Sequence, residues 1–139
     1  AGYPVALEGA LKLKELAYIH AEGFAAGELK HGPIALIEPG QAVFVLVPSP
    51  RPADSLHAKV ISNIQEIKAR GARVIAIAEE GDVAVLPFAD EIVRIPLAAA
   101  PFEAVLAVVP LHFFAMELAG AKGLDVDQPR NLAKSVTVE

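Results

Sequence analysis

Three charged residues, Glu8, Lys12 and Glu15, recur at spacings of four and three within ALEGALKLKE (6–15). On a helix advancing about 100° per residue, Glu8, Lys12, Glu15, Ile19 and Glu22 fall in one arc of roughly 80°. The rest of the circumference is mostly Ala, Leu, Val and Gly, with Lys14 and His20 as the polar exceptions. Two roles fit such a strip. It is either an exposed stripe of Glu–Lys pairs, each contributing about 0.2–0.5 kcal/mol, or one wall of a pocket. In a pocket a carboxylate base would stand beside an amine, with burial and mutual charge tuning both.

Two further positions have chemistry to offer. His31 lies in GELKHGP (27–33), between a lysine and a Gly-Pro turn. A histidine on such a loop is either a solvated surface residue or a proton shuttle near neutral pH. Lys134 lies in the polar tail DQPRNLAKSVTVE (127–139), where a lysine is ordinarily a solvated charge on a frayed end. Held in a desolvated pocket, the same amine attacks a carbonyl to form a Schiff base. His112, in VVPLHFFAM, reads as a satisfied core histidine. His20 and His57 carry no local signature, and no histidine pair has metal-ligand spacing.

The elements that must position these residues are legible from periodicity and punctuation. Pro4 suits the first turn of a helix running from Val5 to about Glu22. Residues 23–40, rich in Gly and Pro, read as a loop with one helical turn. QAVFVLVP (41–48), RVIAIAEE (73–80) and EIVRIPL (91–97) are short, near-continuous apolar runs of the kind found in central parallel strands. Between the first two, a helix is expected to be capped by Asp54 or Ser55 and stopped by Gly71. A last, buried helix is expected over about 102–122. The order α-β-α-β-loop-β-α predicts an α/β three-layer αβα sandwich with a parallel sheet. A doubly wound sheet normally opens on a strand, so a first strand is missing from this order.

The chain has 139 residues, 54% of them hydrophobic, a net charge of −5 and no cysteine. This is one domain with ample core. Without a Lys/Arg cluster it lacks the electrostatic footprint of a nucleic-acid binder. The absence of thiols suits a cytoplasmic protein. The longest apolar stretch is interrupted by Pro101, Glu103, Pro110, His112 and Glu117, which argues against a membrane span. The opening AGYP has neither a methionine nor a signal-peptide pattern and suggests an excised piece of a longer protein.

ALEGALKLKE, AGELKHGP (26–33) and DQPRNLAKSVTVE together resemble the C-terminal sugar-isomerase (SIS) domain of the glucosamine-6-phosphate synthase family, the isomerising glutamine:fructose-6-phosphate aminotransferases. The likeness runs along essentially the whole chain, and its tail motif is the most specific part. It implies a flavodoxin-like SIS fold over 1–139, with 124–139 as an active-site tail. It also implies that Glu15 moves a proton between C1 and C2 of the open-chain sugar, assisted by Lys12. By the same likeness His31 opens the sugar ring from the neighbouring subunit of a homodimer, Lys134 forms the Schiff base, and Glu8 is a lesser substrate-binding candidate. No metal or organic cofactor is implied.

The family's glutaminase domain and first SIS domain, with its phosphate-holding Ser/Thr loop, have no counterpart here, so the chain alone is expected to be inactive. Two other readings stay open. One is a glutaminase-free SIS deaminase or isomerase of amino-sugar phosphates. The other is a non-catalytic sugar-phosphate-binding or dimerisation module.

Overall fold

The computed structural model describes residues 2–52 and 55–132. Three parallel strands, β1 (Ala42–Leu46), β2 (Arg73–Glu79) and β3 (Glu91–Ile95), form one sheet in the order β1-β2-β3. Ala42 pairs with Arg73 and Leu46 with Ile77, while Ile75 pairs with Glu91 and Glu79 with Ile95. Because side chains alternate across a strand, the near-continuous apolar runs supply two cores. Val43, Val45, Val74, Ala76 and Ala78 face α2 (His57–Lys68), where Val60, Ile64 and Ile67 are buried against them. Phe44, Leu46, Ile77 and Ile95 face the opposite layer, made of α1 (Gly2–Ala17) and α3 (Ala100–Ala121). Burying a side chain such as Ile64 or Ile77 contributes about 1.5–3 kcal/mol. The three-layer αβα arrangement is the one the element order predicts.

α1 stops at Ala17 rather than Glu22. Tyr18 takes a left-handed conformation (φ 53°), and the Ile19 N–H donates to Leu13 O at 3.2 Å. The chain then returns alongside α1 until Gly23 meets the main chain of Ala6 and Leu7. A Cβ at Gly23 would lie 2.8 Å from Ala6 C and Leu7 N. The stop is therefore imposed by this tertiary return, since no glycine or proline marks position 18.

Residues 26–36 form two short 3₁₀ helices, Ala26–His31 and Pro33–Leu36, where one turn was expected. Their Ala26, Leu29 and Ile34 pack on the α2 side of the sheet. Ser55 Oγ accepts the His57 N–H at 3.1 Å just before α2, while Asp54, the other candidate cap, lies outside the described residues. α2 ends at Lys68, ahead of Gly71.

α3 runs through Pro110 and is not the fully buried helix that its composition suggests. Its Ala107, Leu111, Ala115 and Ala119 row is buried. Phe102, Val105, Val109 and Phe113 form a second row that stays exposed. By length and composition alone it could cross a membrane; here its small-residue row lets α1 come close. A Cβ at Gly9 of α1 would lie 2.7 Å from Leu111 Cδ1, so the two helices meet at a glycine.

Candidate active site

Close packing at Gly9 and Leu111 fixes which face of α1 is left to carry chemistry. Glu8, Lys12 and Glu15 share that face. Lys12 Nζ donates to Glu15 Oε2 at 2.6 Å and stands 3.7 Å from Glu8 Oε1. The Lys12 and Glu15 side chains keep 29% and 25% of their exposure. The strip is thus half-buried, unlike a solvated stripe.

The hydrogen bond to Glu15 raises the Lys12 ammonium above its usual pKa, 10.5. Burial opposes this, and the charges of Glu15 and Glu8 add to the rise. At neutral pH Lys12 is therefore a cation that donates a hydrogen bond to Glu15. Ile19 and Glu22 do not extend the strip, because the helix ends before them. Glu22 Oε1 instead lies 3.8 Å from His20 Nε2.

An open groove of about 560 Å³ runs beside the strip. Lys12 and Leu16 of α1, His112 and Met116 of α3, and Val126 and Asp127 of the C-terminal segment contribute to its lining. That segment is tied to the end of α1. Lys122 Nζ donates to Ala17 O, and the Arg130 N–H donates to the Tyr18 hydroxyl at 2.7 Å. The Arg130 guanidinium lies 4.0 Å from the centroid of the Tyr18 ring. Asp125 Oδ1 accepts the N–H groups of Asp127 and Gln128, which tightens the turn. Lys134 itself lies outside the described residues.

His31 ends the first 3₁₀ helix and is exposed. That helix packs on the α2 layer, across the sheet from α1. A single chain therefore does not bring His31 to the Lys12–Glu15 pair.

The sequence reading missed His112. It is no core histidine: its side chain keeps 46% exposure, and Nε2 lies 3.1 Å from Glu8 Oε1. No local signal could have paired residues 104 positions apart. His57 is the buried histidine, with Nε2 2.8 Å from Asp82 Oδ2. Asp82 Oδ1 accepts the Ala84 N–H, so this pair pins the β2–β3 connection to the start of α2. Among the described residues, no group of three or more His, Asp or Glu side chains is placed to hold a metal ion.

The C-terminal edge of a parallel sheet is where α/β folds commonly bind ligands. Here it is closed. Arg51, after β1, forks onto the Glu79 carboxylate at the end of β2 and donates to Ala98 O beyond β3. The chemistry-bearing groups lie on α1 and α3 instead.

The family model for the SIS domain matches residues 1–121. A glutamine–fructose-6-phosphate aminotransferase (isomerizing) of Leifsonia xyli subsp. xyli is 84% identical over 138 residues, which are 99% of this chain and 22% of that protein. Among solved structures, the C-terminal domain of glucosamine-fructose-6-phosphate aminotransferase from Francisella tularensis aligns with 91% of this chain and 34% of its own, at 41% identity and a TM-score of 0.72. Glucosamine-6-phosphate deaminase from Thermotoga maritima aligns with 98% of this chain and 37% of its own, at 27% identity and a TM-score of 0.74. The chain thus spans about a fifth of the length of the curated relative it matches.

Proposed function

The chain belongs to the SIS domain family, and on that premise we propose that it is the isomerase part of a glutamine–fructose-6-phosphate aminotransferase. The proposed reaction takes fructose 6-phosphate and glutamine-derived ammonia to glucosamine 6-phosphate. The observation that carries the proposal is the Lys12–Glu15 contact of 2.6 Å, which puts a cationic donor against a carboxylate at the edge of a groove.

In this reading the amine of Lys134 condenses with the C2 carbonyl of the open-chain sugar, releasing water. Ammonia then adds to that imine and expels the Lys134 amine, leaving an ammonia-derived C2 imine that acidifies the C1–H. Glu15 takes the C1 proton and returns it at C2. Lys12, held protonated, stabilises the negative charge that develops on the sugar and keeps the Glu15 carboxylate oriented. Glu8 steadies Lys12 from the other side. The tether of residues 122–130 to Ala17 and Tyr18 supports an active-site role for the tail. The position of His31 across the sheet supports its acting on the site of a second subunit, and with it a homodimer. For the same reason a single chain is expected to lack a complete site.

The test uses the full-length protein with fructose 6-phosphate. Borohydride reduction followed by peptide mapping should give an adduct at Lys134, and incubation in D2O should exchange the C1/C2 hydrogens. Neither adduct nor exchange would sink the proposal and favour a non-catalytic sugar-phosphate module. The likeness to the Thermotoga maritima deaminase favours a second reading, an amino-sugar phosphate deaminase using free ammonia. Turnover with ammonium but not with glutamine would select it.

A further inference from the structure

We infer that His112 is a positioning residue for the Lys12–Glu15 pair, acting through Glu8; this rests on the catalytic reading of that pair. Three contacts run in series. His112 Nε2 lies 3.1 Å from Glu8 Oε1, the same oxygen lies 3.7 Å from Lys12 Nζ, and Lys12 Nζ donates to Glu15 Oε2 at 2.6 Å. The first link crosses from α3 to α1, and the next two run along α1.

The geometry follows from packing one residue away. Gly9 and Leu111 are the point of close approach of the two helices, and their neighbours Glu8 and His112 meet at the rim of that contact. A glutamate on a free helix face samples several rotamers. Bonded to an imidazole anchored on the facing helix, it holds one, and its shared oxygen draws the Lys12 ammonium along the strip. His112 does not touch Glu15, so its effect on the base is one of placement.

Besides its contact with Glu8, His112 shares the lining of the groove with two charged residues, Lys12 of α1 and Asp127 of the C-terminal segment.

The experiment compares His112→Ala, His112→Gln and Glu8→Gln in the full-length protein, reading C1/C2 deuterium exchange and borohydride trapping at Lys134 separately. His112→Ala should slow exchange about tenfold, the scale of a modest misplacement of a catalytic group, with trapping and KM within about twofold of wild type. His112→Gln, which keeps a donor toward Glu8, should recover most of the exchange. Adding Glu8→Gln to His112→Ala should cost little more than either alone.

Exchange unchanged in His112→Ala, or exchange and trapping lost together with the melting temperature, overturns the inference. If His112→Ala does not fold, His112→Leu, which fills the space without a donor, takes its place, and exchange at the wild-type rate in it does the same. Should the wild type show neither exchange nor trapping, the catalytic reading itself falls and takes this inference with it. Loss confined to the His112 variants would leave that reading intact.

Discussion

The Arg130 guanidinium lies over the ring of Tyr18, 4.0 Å from its centroid, while the Arg130 N–H donates to the Tyr18 hydroxyl at 2.7 Å. One side chain thus holds both the charge and the backbone of the C-terminal segment. Tyr18 occupies a left-handed conformation that β-carbon sterics disfavour. The cost is borne where it aims the ring at the tail, four residues before Lys134.

Removing this clasp should loosen the tail without unfolding the domain. A cation–π contact at an exposed site contributes about 0.5–1 kcal/mol, and a neutral hydrogen bond about 0.5–1.5 kcal/mol. Tyr18→Ala is therefore expected to speed amide hydrogen exchange at Arg130 by about tenfold and to slow borohydride trapping at Lys134. Tyr18→Phe, which keeps the ring, should show a smaller effect on both. Equal behaviour of all three proteins would remove the clasp from the account.

Glu15→Gln keeps the size of the side chain and removes its basicity. It should lower C1/C2 exchange by about 100-fold or more, the range of general-base contributions, while Schiff-base trapping survives. It also deletes the largest cause of the raised Lys12 pKa, so the Lys12 amine should titrate at lower pH, measurable by NMR of its side-chain nitrogen. Trapping lost in parallel with exchange would contradict the division of labour between Glu15 and Lys134.

Two glycines are expected to differ in what they tolerate. An added Cβ at Gly23 meets main-chain atoms of Ala6 and Leu7 at 2.8–2.9 Å, whereas one at Gly9 meets the Leu111 side chain at 2.7–3.2 Å. Overpacking costs about 1–3 kcal/mol, and alanine in place of glycine within a helix returns about 1 kcal/mol. Gly23→Ala should therefore lower the melting temperature more than Gly9→Ala. The reverse order would show that the return of the chain along α1 is not as tight as described. Gly9→Ala carries a separate penalty in activity, because spreading α1 from α3 parts Glu8 from His112.

Stability should respond to pH at both extremes. The Lys68 hydrogen bond, followed by the Val74 N–H, holds the Asp90 carboxyl below its ordinary 3.8. A depressed folded pKa stabilises the fold above the unfolded value, and the contribution is lost as pH falls through the folded pKa. Lys12 works with the opposite sign: its raised pKa stabilises fully below 10.5, and the contribution is lost as pH rises through the folded value. Asp90→Asn should flatten the acid limb of a stability profile below about pH 4, and Glu15→Gln the alkaline limb above about pH 10. A full-strength acid limb in Asp90→Asn would assign that limb to other carboxylates.

Much of this molecule was readable in its residue order because the relevant physics is local. Apolar runs such as QAVFVLVP and RVIAIAEE can satisfy both faces of a buried parallel strand, and the 3.6-residue repeat alone puts Glu8, Lys12 and Glu15 on one side of a helix. The resemblance to the SIS domain likewise rested on short contiguous motifs.

What the residue order concealed depends on surfaces brought together from distant parts of the chain. α1 ends at Ala17 because Gly23 must reach the backbone of Ala6, and Tyr18, the residue that turns the chain, advertises no stop. His112 looked like a core residue because its neighbours in sequence are apolar. Its place is set by Leu111 packing on Gly9, which carries the next position to the rim beside Glu8. His31 closes a 3₁₀ helix that packs on the α2 side of the sheet, so the sheet stands between it and Lys12. Periodicity specifies the face of an element, whereas the company that face keeps is settled by packing between elements about a hundred residues apart.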